Sequence, residues 1–147
     1  MITTLLLAAA VAAKTTPDFL PNAADSKIVS VAAHAAARAE IVVLTQAIAI
    51  KESGPKETVK TFGEVYAFDP AVFAVHREVP TRIEFWNLQG DDEHDVMLLD
   101  RGNHVVVQFK LPPLQKTSRV FTFHARGIYR FVCTLHQPEM SGAIVVE

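Results

Sequence analysis

Short β-prone runs repeat along the last two thirds of the chain and constrain its fold more than any other feature. From residue 57 onward, runs rich in Val, Phe and Ile alternate with polar residues and are separated by Pro and Gly. Such alternation is typical of half-buried strands. The runs span residues 58–68, 72–75, 81–88, 94–99, 105–111, 118–124, 129–133 and 143–147. This many short strands in about 90 residues predict an all-β chain, a Greek-key β-sandwich, with Trp86 as a core residue.

The segment before these runs has a different composition, rich in Ala and poor in aromatic side chains. Residues 27–40 are predicted to form a short helix capped by Asp25 or Ser26. Residues 41–50 are apolar and β-branched, which predicts a strand. We therefore expect an N-terminal Ala-rich extension over residues 14–56, which packs against the following domain or mediates self-association.

Residues 1–13 form a short apolar run that ends in small side chains before Lys14. The length of the run fits the hydrophobic region of a secretory signal peptide and is too short to cross a bilayer. No Lys or Arg precedes it, so the alternative that it packs on the domain as a helix or strand stays open. We expect an exported, periplasmic protein without a transmembrane helix, whose main domain spans residues 57–147.

Charge and cysteine content exclude several classes of function. The 14 Lys and Arg residues and 16 Asp and Glu residues give a net charge of −2, with both signs interspersed. This balance lacks the basic surface that nucleic-acid binding requires. The single Cys excludes a disulfide within the chain and any metal site built from four cysteines.

The segment that carries chemistry lies near the C-terminus. A predicted strand leads to Cys133, and a tight loop then brings His136 and Met140 before the last strand. A thiolate, an imidazole and a thioether together suit a soft, polarisable ion. Two His and one Cys with a weak axial Met are the ligands of electron-transfer copper sites. His94, at the start of a predicted strand, supplies the second imidazole.

The region from residue 57 to residue 147 resembles the cupredoxins, and among them the amicyanin and plastocyanin type. The resemblance rests on His94 in the segment 93–96, on the approach to the ligand loop at residues 127–131, and on the loop itself. It implies one type 1 copper ion bound by His94, Cys133, His136 and Met140. It also implies that this blue copper protein carries single electrons and is not an enzyme.

Two departures from the family pattern affect the site. The family usually has Asn after the first ligand His, where this chain has Asp95. The resemblance implies that Asp95 bonds the backbone or hydroxyl of Thr134, and that its charge lowers the reduction potential. The three residues between His136 and Met140 are one more than in amicyanin and one fewer than in plastocyanin, which makes Met140 the weakest of the four expected ligands.

The resemblance leaves the biological role open between three alternatives. The first is an electron carrier between larger redox proteins, such as a c-type cytochrome, a dehydrogenase, or a copper oxidase or reductase. The second is a copper carrier or chaperone that exchanges the metal. The third is a subunit of a larger redox complex, and the oligomeric state is open. The acidic run at residues 91–93, next to His94, is either a solvated loop or a docking patch for a basic partner.

Overall fold

The computed structural model describes residues 27–147, and its strands form two sheets that pack face to face. The predicted signal segment at residues 1–13 and the predicted helix caps Asp25 and Ser26 lie outside the described residues. In chain order the elements are β1 (Val29–Ala32), β2 (Ala39–Ala49), α1 (Lys56–Phe62), β3 (Val65–Asp69), β4 (Val72–Val75), β5 (Thr81–Trp86), β6 (His94–Leu99), β7 (Val105–Leu111), β8 (Lys116–Phe123), β9 (Gly127–Val132) and β10 (Ser141–Val146).

Each sheet has five strands and contains one parallel pair. The first sheet has the order β1-β8-β5-β2-β3, and the second has the order β4-β10-β9-β6-β7. The parallel pairs are β2 with β5 and β4 with β10, and the other neighbours run antiparallel. The predicted all-β sandwich is therefore confirmed, and the strands after β3 fall within a few residues of their predicted positions.

The core lies between the two sheets because alternate side chains of each strand point inward. In β5, Thr81, Ile83 and Phe85 are buried, whereas the residues between them are partly exposed. Aromatic rings fill the centre of the core. The Phe131 ring lies 5.1 Å from the Phe68 ring and 6.1 Å from the Phe85 ring, which joins the two sheets.

The predicted helix over residues 27–40 is wrong. Val29–Ala32 form β1, which pairs with β8, and the predicted strand at 41–50 is confirmed as the larger part of β2. Sheet hydrogen bonds and the burial of Val29 outweigh the helix propensity of the Ala residues. Because β2 lies between β5 and β3, residues 29–49 belong to the sandwich rather than to an extension of it.

The predicted strand over residues 58–68 begins too early. Lys56–Phe62 form the helix α1, and β3 starts only at Val65. Pro55 precedes the helix and Gly63 ends it, with the Gly63 N–H donating to the Val59 carbonyl oxygen at 2.9 Å. None of residues 27–147 forms a helix that is long and apolar enough to cross a membrane.

Trp86 is not a core residue, contrary to the prediction. It lies on the outer face of β5, where the Lys116 ammonium sits 3.7 Å from the centre of its ring and Glu84 accepts a hydrogen bond from its indole N–H. Phe85, the neighbouring residue, is 1% exposed and takes the core position. Only one of Phe85 and Trp86 can face the core, because adjacent residues of a strand face opposite sides of the sheet.

Candidate metal centre

The candidate ligands lie at one end of the second sheet. His94 is the first residue of β6, and Cys133 directly follows β9. Because β6 and β9 are antiparallel neighbours, the start of β6 lies beside the end of β9. His136 and Met140 belong to the loop that connects β9 to β10. The pairing of two strands therefore brings together residues that are 39 positions apart.

Three of the four predicted ligands converge. Nitrogen atoms of His94 and His136 and the Cys133 sulfur all lie within 4.8 Å of one another, and this is the one such group in residues 27–147. The two Nδ1 atoms are 3.0 Å apart, and the Cys133 Sγ lies 3.9 Å from the His94 Nδ1 and 3.6 Å from the His136 Nδ1. This spacing lets a single ion contact all three atoms.

Met140 is buried at the end of the loop, with 0% of its surface exposed. The Cys133 N–H donates to the Met140 carbonyl oxygen at 2.9 Å, and the Met140 N–H donates to the His136 carbonyl oxygen at 3.0 Å. These bonds close the loop and hold the backbone of Met140 beside Cys133. The role of Met140 as an axial ligand stays a prediction.

Asp95 fixes the loop to β6, as predicted. Its Oδ1 accepts from the Thr134 N–H, and its Oδ2 accepts from the Thr134 hydroxyl, both at 2.6 Å. The Oδ2 also accepts from the Gln108 side-chain amide at 2.7 Å. Two hydrogen bonds to this buried carboxylate therefore hold the residue that follows Cys133, and the third ties the carboxylate to β7.

Tyr66, which the sequence reasoning missed, packs against both imidazoles. Its ring centre lies 4.9 Å from that of His94 and 4.5 Å from that of His136. The Tyr66 hydroxyl donates to the Asp92 carboxylate, and burial together with this bond raises the pKa of the phenol. Since Tyr66 lies on β3, the first sheet also helps to enclose the centre.

Burial also shifts the protonation of two candidate ligands. Desolvation, and then the neighbouring His136, lowers the pKa of His94 from 6.5 to about 4. Burial raises the pKa of the Cys133 thiol, although the backbone N–H groups of Asp95 and Leu135 donate hydrogen bonds to the sulfur and act in the opposite direction. A metal ion that binds the Cys133 thiolate therefore displaces a proton.

The metal-free protein is expected to lose stability as the pH falls from 6.5 toward 4. In this range the unfolded chain protonates His94, whereas the folded chain keeps it neutral, so the free energy of unfolding falls. The loss is about 3 kcal/mol, at about 1.4 kcal/mol per pKa unit. Urea unfolding at a series of pH values measures it. His94→Gln should be less sensitive to acid, and an equal pH slope in both proteins would contradict the assignment.

Comparison with solved structures defines the fold. The chain matches auracyanin B with a TM-score of 0.58 and 14% identity, over 82% of this chain and 99% of that one. It matches auracyanin A, a "blue" copper protein from Chloroflexus aurantiacus, with a TM-score of 0.52 and 18% identity, over 74% and 98%. A reduced amicyanin variant matches with a TM-score of 0.50 and 21% identity, over 82% and 99%. The chain has the cupredoxin fold.

The cupredoxin fold also occurs in larger copper enzymes. A copper nitrite reductase from Nitrosomonas europaea matches 78% of this chain with a TM-score of 0.58 and 12% identity, over 51% of its own length. Neither a protein-family model nor the sequence of a curated protein matches the chain. The likeness is therefore one of fold, and the function has to be argued from the residues of the centre.

Proposed function

We propose that this protein binds one copper ion at His94, Cys133, His136 and Met140 and carries single electrons between redox proteins. The observation that supports the proposal is the convergence of two imidazole nitrogens and one cysteine sulfur at the end of a cupredoxin sheet. These are the three strong ligands of a type 1 copper site, and Met140 supplies the weak axial thioether. When bound, copper supplies the one-electron couple between Cu(I) and Cu(II).

The surroundings of the ligands favour electron transfer over metal exchange and over catalysis. His94, Cys133 and Met140 are each 0% exposed, which disfavours the rapid metal exchange that a copper chaperone needs. Four protein ligands leave no open position for a substrate, so we expect no enzymatic turnover. The carboxylate of Asp95 and the ring of Tyr66 hold the centre in one arrangement. Little movement is then needed when the charge of the centre changes.

Electrons are proposed to leave through His136, which is only half-buried. Leu135 next to it is 56% exposed, and Leu114, whose N–H donates to the Gln89 carbonyl oxygen at 3.0 Å, is 71% exposed. A small apolar surface suits the weak, short-lived contacts of redox partners, such as a c-type cytochrome, a dehydrogenase or a copper oxidase or reductase. In the acidic run next to His94, Glu93 pairs with Lys110 at 2.8 Å, whereas Asp91 is exposed and the bond that Asp92 accepts from the neutral Tyr66 hydroxyl leaves its negative charge in place.

We also propose that the protein acts outside the cytoplasm, in the periplasm or an equivalent compartment. One sequence feature supports this location. The apolar run of residues 1–13 has the length of a signal-peptide hydrophobic region.

Absorption and electron paramagnetic resonance (EPR) spectra of the copper-loaded protein test the proposal. We expect an intense visible band from the thiolate bound to Cu(II) and the small hyperfine splitting of a type 1 site. Cys133→Ala should lose the band completely. His34→Ala, which removes an exposed histidine distant in sequence from the ligands, should keep it. An intense visible band in Cys133→Ala, or its absence in the unaltered protein, would overturn the proposal.

A further inference from the structure

The second ring nitrogen of His94 has a defined partner. The Nε2 atom lies 3.0 Å from the side-chain oxygen of Gln89, and His94 itself is 0% exposed. An amide oxygen only accepts hydrogen bonds, so the ring proton of neutral His94 belongs on Nε2. The Nδ1 atom then carries the lone pair. This is the atom that faces Cys133 and His136.

Gln89 is itself held in place from β2. Its side-chain oxygen accepts a second hydrogen bond, from the hydroxyl of Thr45, which is 0% exposed. The Thr45 oxygen accepts from the Leu88 N–H at 3.0 Å, and of the two acceptors of its own proton the Gln89 oxygen is nearer than the Asn87 side-chain oxygen, which lies 3.2 Å away. Two donors therefore meet the Gln89 oxygen, one from the hydroxyl and one from the imidazole. The Gln89 side-chain nitrogen lies 3.5 Å from the Thr45 carbonyl oxygen, an acceptor that favours this orientation of the amide.

The loop that carries Gln89 is also anchored. The Gln89 N–H donates to the Asn87 side-chain oxygen at 3.0 Å. The Asn87 side-chain nitrogen donates to the carbonyl oxygens of Asp92 at 2.8 Å and Leu111 at 2.9 Å. Asn87 is 2% exposed, so these bonds form away from water. The position of Gln89 relative to His94 is therefore fixed by buried groups on three segments of the chain.

We infer that Gln89, held by Thr45, is a positioning residue that sets the tautomer and ring orientation of His94. The inference rests on the proposed function, since it assigns His94 Nδ1 as the ligand atom. The inference also connects β2 to the metal centre, because Thr45 on β2 bonds Gln89 and Gln89 bonds His94. Outer partners of this kind usually change metal affinity about 10-fold to 100-fold when they are removed.

The tautomer can be read from the metal-free protein by ¹H–¹⁵N NMR of the histidine rings. We expect the unaltered protein to show His94 with its proton on Nε2 and in slow exchange with water. Gln89→Met, which keeps the length of the side chain but removes the acceptor, should exchange this proton about tenfold faster or populate the other tautomer. Thr45→Val should have a smaller effect in the same direction, and Thr45→Ser should restore the behaviour of the unaltered protein.

Gln46→Met provides the matched control. Gln46 also lies on β2, but it donates to the carboxylate of Asp69 rather than to a histidine. The Gln46→Met substitution should leave the His94 resonances and the Cu(II) affinity unchanged. In Gln89→Met, by contrast, the Cu(II) affinity should fall about tenfold or more. An unchanged His94 tautomer and exchange rate in a folded Gln89→Met would overturn the inference. This outcome is separate from the copper spectrum of the unaltered protein, which tests the proposed function.

Discussion

Asp95→Ala is expected to lower the free energy of unfolding of the metal-free protein by about 4 kcal/mol. The substitution removes the acceptor of three hydrogen bonds, two from Thr134 and one from Gln108. Asp95 is only 5% exposed, so water replaces these bonds poorly. The segment that follows Cys133 then loses its attachment to β6. We therefore also expect Cu(II) affinity to fall about 10-fold to 100-fold, as for other partners that orient metal ligands.

Asp95→Asn separates the charge of this residue from its hydrogen bonds. One amide oxygen can still accept from the Thr134 N–H, so the loss of stability should be about 1 kcal/mol. Removing a negative charge near the sulfur disfavours Cu(II), so the reduction potential of the copper-loaded protein should rise. Urea unfolding and voltammetry measure the two effects.

The control for both variants is Asp69→Ala. Asp69 accepts from Gln46 at 2.6 Å, is exposed, and is the last residue of β3. We expect it to change the free energy of unfolding by about 0.5 kcal/mol or less. If Asp95→Ala is no less stable than Asp69→Ala, the carboxylate does not hold the ligand loop.

The loop with Cys133 and His136 could be predicted as a candidate metal site because its chemistry is local in sequence. Cys133 and His136 are three residues apart, and their donor types narrow the choice of metal. His94 required the fold as well, since only the pairing of β6 with β9 brings it to the loop. The hydrogen bonds between Asp95 and Thr134 also depend on this pairing, and they were predicted from the family resemblance.

The residues that enclose the centre could not be predicted from local patterns. Tyr66, Thr45 and Gln89 come from three separate segments, and their contacts exist only after the two sheets pack. In sequence, Tyr66 and Thr45 are ordinary members of apolar runs.

The errors in secondary structure have the same origin. β1 was predicted as helix because Ala favours helices in isolation, whereas its backbone bonds go to β8, about 90 residues later in the chain. Such pairing outweighs local propensity, which differs by less than about 1 kcal/mol between most residues.

Tyr66→Ala is expected to lower the free energy of unfolding by about 4 kcal/mol, the usual cost of removing a buried aromatic ring. Tyr66 is 1% exposed, and its ring contacts both candidate imidazole ligands. The cavity lets His94 and His136 move and admits water beside them. The EPR hyperfine splitting of bound Cu(II) should therefore increase toward that of ordinary tetragonal copper.

Phe123→Ala is the matched control, because Phe123 is 0% exposed but packs on Phe121 and Tyr129 at the far end of β8. It should cost a similar free energy and leave the copper spectrum unchanged. Tyr66→Phe, which keeps the ring and loses only the bond to Asp92, should cost about 1 kcal/mol and also keep the spectrum. If Tyr66→Ala retains the original spectrum, the ring stabilises the fold without shaping the metal centre. A spectral change in Tyr66→Ala alone shows instead that the first sheet helps to set the geometry of ligands carried by the second.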